Sequence, residues 1–194
     1  MKPKKRIRVC PLIVIGLVLI LTSSCKRDDE KDKPTVLVIG QTYQGGIIAY
    51  ILQTGDPGYD ANVQHGLIAS SGNQSTGIQW YNGNNVTTGA TGIELGTGNA
   101  NTNSIVATQG AGSYAAKLCY DLKSGGYSDW YLPSREELNK LYINKAVFEG
   151  LTGNEYWSST EISVNGAWSI YFGNGSSLPT TKDFQDCVRA FRSF

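Results

Sequence analysis

The sequence has few of the residues and motifs on which enzymes most often depend. It contains a single histidine, His65, which has no acidic neighbour in the sequence. No Gly-x-Ser-x-Gly nucleophile motif occurs, and Gly96-Thr97-Gly98 lacks the third glycine and the following apolar helix of a dinucleotide-binding fingerprint. A lone histidine at the end of a loop is usually structural or solvated. We therefore expect a protein without catalytic residues and without a cofactor.

Positive charge is also scarce once the start of the chain is set aside. Five of the 17 basic residues lie within positions 1–9 and four within 26–33, so residues 36–194 carry eight basic against twelve acidic side chains. A protein that grips nucleic acid normally presents an excess of basic residues. We expect no nucleic-acid partner.

The chain has one long apolar run, and it is too short to span a bilayer comfortably. The run covers about a dozen residues after a basic start, whereas a membrane-spanning helix needs about 20. The small residues Thr22-Ser23-Ser24 close it, which predicts a secretory signal peptide over residues 1–24. Cys25 follows directly, and this arrangement resembles the lipobox of bacterial lipoproteins. The resemblance implies a membrane anchor through lipidated Cys25; an ordinary signal peptide is the alternative.

A wholly charged octet follows the cysteine and ends at Pro34. Such a segment cannot bury apolar surface, so residues 25–35 are predicted to form a solvated tether. Its basic-then-acidic order is similar to the surface-export signal of lipoproteins in the Bacteroidota. This similarity implies a lipid-anchored protein at the outer membrane, exposed at the cell surface, with a plain spacer as the alternative.

The remaining residues, 36–194, are enough for one domain with a sizeable core. Glycine and asparagine are abundant between residues 70 and 112, a composition that favours turns and long irregular loops over helices. Elsewhere, apolar and β-branched runs predict strands, with the first two forming a hairpin. The predicted strands cover residues 46–52, 66–70, 156–160, 167–172 and 187–192.

Two helices are predicted in the middle of the domain. Residues 113–122 carry apolar side chains at helical spacing, ended by two glycines. The second helix begins at Ser134, because Ser134 and Glu137 have the spacing of a capping box. This chemistry does not explain Asp129-Trp130 immediately before it, which no helix start requires.

Several motifs occur in an order that resembles one bacterial family. They are Tyr43–Tyr50, Asp129–Ser134, Tyr156–Thr160, Ala167–Trp168 and Val188–Arg192. Together they are similar to the DUF1566 domain, also called the C-terminal domain of the Legionella collagen-like adhesin. The resemblance implies a C-type-lectin-like α+β fold over residues 36–194, with two helices packed on short antiparallel sheets and long Gly/Asn-rich loops.

The same resemblance has implications for particular residues. It implies a disulfide between Cys119 and Cys187, on a helix and on the last strand, with two free buried thiols as the alternative. Tyr131 stands where the family has arginine, so no role of that arginine is carried over to this chain. The Trp-rich motifs of such folds mostly tie helices and loops to the sheet, so Asp129-Trp130 is expected to belong to the scaffold.

The resemblance implies an adhesin-like module that binds a glycan or a protein. The calcium-dependent sugar motifs Glu-Pro-Asn, Gln-Pro-Asp and Trp-Asn-Asp do not occur, so we expect no metal. Asn165, Tyr171 and Asn174 are the candidate ligand-binding residues, because Tyr171 points outward when Trp168 points inward. One alternative is an assembly subunit of a surface appendage. Another is an enzyme of the formylglycine-generating type, although that chemistry needs a close cysteine pair and only Cys187 lies near the C-terminus.

Overall fold

The structure of the chain, a computed structural model, describes residues 36–151 and 153–194. The predicted signal peptide over 1–24, the lipidation site Cys25 and the tether over 25–35 lie outside the described residues. Within the described ranges, none of the helices combines the length and the apolar character that crossing a membrane requires.

The described part of the chain is an α+β domain, as predicted. A short 3₁₀ turn (Lys145–Val147) follows the last α-helix. In chain order the elements are β1 (Thr42–Tyr43), β2 (Gly46–Ile51), β3 (Gly66–Ala69), β4 (Ser75–Ile78), α1 (Gly98–Gln109), α2 (Ala115–Tyr120), α3 (Arg135–Ile143), β5 (Glu155–Ser163), β6 (Gly166–Tyr171), β7 (Ser176–Thr181), β8 (Asp186–Val188) and β9 (Phe191–Ser193).

The strands form two sheets. One has the order β1-β2-β3-β9 and the other β4-β8-β5-β6-β7. The predicted first hairpin is confirmed, since β2 and β3 pair antiparallel with Ile48 opposite Ile68. The single strand predicted over 187–192 is wrong. That segment forms β8 in one sheet and β9 in the other, because the chain crosses between the sheets at Arg189 and Ala190.

The helices agree with the sequence in two places and differ in one. α2 lies within the predicted 113–122, and α3 begins after Ser134 with both hydrogen bonds of the capping box. The prediction of irregular loops over residues 70–112 is wrong where α1 forms. The described residues therefore contain three α-helices instead of the two predicted. Polar anchors compensate for its weak helix formers: Asn101 donates to Gly92 O at 2.7 Å, and Thr102 Oγ1 accepts from Leu132 N at 2.9 Å.

The predicted disulfide is absent. Cys119 and Cys187 are free, buried thiols. They belong to different parts of the core: Cys119 packs in a cluster with the three buried tryptophans, whereas Cys187 packs in a second cluster built around Tyr156 and Phe191. Cys187 Sγ instead lies 3.5 Å from Thr76 O. Burial raises the pKa of both thiols.

Candidate ligand-binding cleft

The motif that precedes α3 is held by structural contacts. Asp129 accepts hydrogen bonds from Arg192 Nε and Nη2 at 2.8 and 2.9 Å, and this bonding lowers the pKa of the Asp129 carboxyl. Trp130 is buried, and the backbone of Tyr131 exchanges two hydrogen bonds with Phe191. These contacts join the start of α3 to β9. The motif therefore has the scaffold role that the family resemblance implies.

Glu137 has a similar structural role, although it is a buried carboxyl. Its Oε2 accepts from Ser134 N at 2.8 Å, and its Oε1 accepts from Gly96 N at 2.9 Å and from Tyr131 Oη at 3.3 Å. Burial raises the pKa of Glu137, and the hydrogen bonds counteract this effect. Protein donors thus satisfy both of its oxygens.

A buried ion pair fixes the loop that contains Val86, Thr88 and Gly89. Lys182 Nζ lies 2.6 Å from Glu161 Oε1, and neither side chain is more than 2% exposed. Glu161 also accepts from Thr88 N at 2.9 Å and from Gly89 N at 3.0 Å, while Lys182 donates to Val86 O at 3.1 Å. These bonds leave neither charge without a partner, so the pair holds the loop and is not open to a ligand.

A cleft of about 330 Å³ lies at one end of the five-stranded sheet. Sheet topology explains why its residues meet. Because β5 and β8 run parallel, their first residues, Glu155 and Asp186, lie at the same end of the sheet. β6 runs antiparallel to β5, so its last residue, Tyr171, pairs with Glu155. The described lining consists of Thr76, Gly153, Asn154, Glu155, Tyr171, Phe184, Gln185, Asp186 and Cys187.

Asp186 is the most unusual group in this cleft. Asp186 is only 3% exposed, and its Oδ2 has no hydrogen-bond partner among the described residues. Burial is the main reason that the pKa of Asp186 rises to about 7, and the nearby charge of Glu155 raises it further. The Ser169 hydroxyl acts in the opposite direction. A buried carboxyl in a cleft, with one oxygen that has no partner among the described residues, is a typical mark of a functional site.

Two exposed aromatic rings stand beside the carboxyls. Tyr171 is 37% exposed and Phe184 is 54% exposed. The Tyr171 ring covers the backbone of Gly173, where an added Cβ would lie 2.4 Å from a ring carbon. The absence of a side chain at Gly173 therefore allows the Tyr171 ring to take its position at the cleft.

The three predicted ligand-binding residues lie at different distances from the cleft, and only one of them lines it. Tyr171 lines the cleft. Asn174 is exposed in the adjoining turn, where its Oδ1 accepts from Ser176 N at 3.0 Å, and it is not part of the lining. Asn165 lies before the other end of β6, roughly 20 Å along the strand from Tyr171. Its Oδ1 accepts from Ser163 Oγ at 2.9 Å. One surface can thus include Tyr171 and Asn174, but not Asn165.

Sequence reasoning did not select Asp186 or Glu155 as ligand-binding residues. The available signal was the position of each acid directly before a strongly apolar or aromatic strand, where a carboxyl becomes partly buried. Trp168, which was expected to point inward, is only half-buried, and the Arg135 guanidinium lies over its ring, 5.1 Å from the ring centre. It lies outside the cleft lining.

Two other kinds of site can be compared with this cleft. Over the described ranges, no three or more His, Cys, Asp or Glu side chains are grouped so that they could hold a metal ion. His65 Nδ1 lies 3.2 Å from Phe194 O, so it contacts the end of the chain. The cleft at Asp186 is the candidate ligand site because it combines a buried carboxyl oxygen that has no partner among the described residues with two exposed aromatic rings.

The described residues thus form an α+β domain with a buried Lys182–Glu161 ion pair and a polar cleft beside Tyr171 and Phe184. Residues 72–192 match the family model of the Lcl C-terminal domain, and the chain belongs to this family. The match includes every motif of the resemblance except the one at Tyr43–Tyr50, so the family predicted from the sequence is confirmed. A comparison with curated proteins gives no match.

Proposed function

We propose that the chain is a surface lipoprotein whose domain, of the C-type-lectin-like fold, binds a glycan in the cleft beside Tyr171. The observation that supports this most is the combination of exposed rings and planar polar groups in one cleft. Aromatic rings suit the apolar faces of sugars, while the side-chain amides of Asn154 and Gln185 offer donors and acceptors to hydroxyl groups. The proposal involves neither catalysis nor a cofactor.

The family supports an adhesin-like role, because its name refers to the C-terminal domain of an adhesin-type protein. In that role the domain would face outward from the outer membrane on its charged tether. The glycan is preferred over a protein ligand because the cleft is small, near the lower end of the volumes that ligand sites usually have. A protein ligand would need a wider contact surface.

Binding can be tested by screening the full chain, in detergent, against arrays of glycans and extracellular-matrix proteins. Tyr171→Ala should weaken binding of a glycan hit by about tenfold, since a stacked ring contributes about 0.5–1.5 kcal/mol in addition to the area that it buries. Tyr59→Ala is the matched control, because Tyr59 is 41% exposed but does not line the cleft. Equal binding by the Tyr171 variant and the parent would refute this location.

The anchor is a separate part of the proposal, and it depends on Cys25. Cys25→Ala should move the protein out of the membrane fraction, because the thiol that would carry the lipid is lost. Cys10→Ala provides the control, since Cys10 lies within the predicted signal peptide. Unchanged partition of the Cys25 variant into detergent would contradict a lipid anchor.

A further inference from the structure

The charges of the cleft have a single sign. Glu155 and Asp186 contribute two carboxyls, whereas no lysine or arginine occurs among its described lining residues. Lys145 and Arg189 both donate to backbone carbonyls. Lys145 Nζ donates to Phe172 O at 2.6 Å, and Arg189 donates to Ser70 O at 2.8 Å, although Arg189 Nε itself has no partner among the described residues. The protein therefore provides no counter-charge inside the cleft.

The other buried carboxyls of the domain make this arrangement unusual. Glu137 receives hydrogen bonds on both oxygens, and Glu161 receives two backbone donors and the Lys182 ammonium group. Asp186 Oδ2 is as buried as these groups but has no partner among the described residues. The Ser169 hydroxyl favours the Asp186 charge but does not offset its burial. A buried carboxylate with one oxygen left without a donor lowers stability, and a donor or cation that reached it from the cleft would relieve that cost.

The other residues that line the cleft indicate which kind of ligand group could bind the Asp186 carboxylate. Tyr171 and Phe184 present exposed rings, and a ring face attracts a cation by its quadrupole. Calcium takes about six to eight oxygen ligands in a defined arrangement, and in the part of the chain that the structure describes no three or more His, Cys, Asp or Glu side chains are grouped so that they could hold a metal ion. A compact organic ammonium group fits better, because it donates hydrogen bonds to carboxylates and also packs against aromatic rings.

We propose that the cleft recognises the free ammonium group of an amino sugar, held between Asp186 and Glu155, with the sugar ring against Tyr171. This inference rests on the glycan-binding function proposed above and narrows it to a cationic saccharide. The amides of Asn154 and Gln185 would contact the ring hydroxyls. An acetylated sugar of the same shape would lack the charge and leave Asp186 without its partner.

The test compares two probes that differ only in the amine. The full chain in detergent is titrated calorimetrically, near neutral pH, with a glucosamine tetramer and with an N-acetylglucosamine tetramer. The glucosamine tetramer should bind about tenfold tighter or more, and added salt should weaken its binding. Asp186→Asn and Glu155→Gln should each weaken it by about tenfold. Asp183→Asn removes the same charge from an exposed position outside the lining and should leave binding unchanged.

Each contrary outcome has a distinct meaning. Equal binding of the two tetramers, or equal losses in the Asp186 and Asp183 variants, would overturn the proposal of a specific ammonium site. A lysine-rich peptide that binds more tightly than the glucosamine tetramer would overturn the sugar as the source of the amine. If a neutral glycan binds and depends on Tyr171 but not on Asp186, this inference fails while the proposed glycan-binding function stands. If no glycan binds at all, both fail.

Discussion

Asp186→Asn should make the domain more stable at alkaline pH, which is an uncommon effect for a substitution in a buried position. The wild-type carboxyl must ionise in a place where burial and Glu155 both oppose its charge. Asparagine has nearly the same shape and never ionises. The variant therefore avoids the cost that the carboxylate imposes on the folded state.

The direction and size of the effect follow from the pKa of Asp186. Its folded value of about 7 exceeds the ordinary value of 3.8, so between these values the folded state holds more protons than the unfolded state. The contribution of Asp186 to the free energy of unfolding is therefore greatest below about pH 4 and is lost as the pH rises through 7. The pKa change corresponds to at most about 4 kcal/mol, and screening by water in the open cleft reduces this to about 2 kcal/mol.

The groups that face Asp186 from neighbouring strands must be controlled in this experiment. Glu155 comes from β5, Tyr171 from β6 and Cys187 from β8 itself, while β4 contributes no titratable side chain. Of these, Glu155 is the charge that raises the pKa of Asp186. Glu155→Gln should accordingly reproduce a smaller part of the stabilisation.

The assay is urea unfolding of parent and variants at about pH 4 and about pH 8. Asp186→Asn should gain about 2 kcal/mol at the higher pH, or about 4–8 °C in thermal midpoint, and close to nothing at the lower pH. Asp183→Asn, at the exposed neighbouring acid, should show no such difference. A loss of stability at both pH values would show that the Asp186 carboxylate is satisfied in the folded protein, and the reasoning would be refuted.

Two further predictions concern the core. Lys182→Met should lower the free energy of unfolding by about 3–5 kcal/mol, measured by urea unfolding, because it leaves the Glu161 charge buried without its cation. Adding Glu161→Gln should recover part of the loss. No recovery in the double variant would contradict the ion-pair argument. Cys119 and Cys187 should resist alkylation in the folded protein and react after denaturation, because burial keeps both as thiols. Peptide mass mapping would detect the alkylated cysteines. A peptide that links the two residues would contradict the structure.

Several features could be predicted from the sequence because their causes are local. The Ser134–Glu137 capping box joins groups three positions apart, and it appears in the structure as expected. The hairpin of β2 and β3 follows from two apolar, β-branched runs that are near each other in the chain. The family was also predictable, since the motifs that carry the resemblance are short and ordered. In each case the signal is a short stretch of sequence: a capping box, an apolar run or a family motif.

Tertiary structure decided the features whose causes lie far apart in the chain. α1 forms although its composition disfavours a helix, because Asn101 and Thr102 find partners in distant segments. The cysteines remain apart because each packs in its own cluster, which no pattern of spacing reveals. The cleft depends on the parallel pairing of β5 and β8, which brings Glu155 and Asp186 to one end of the sheet. Burial there shifts the pKa of Asp186, and burial is a property of the folded surroundings rather than of the residue.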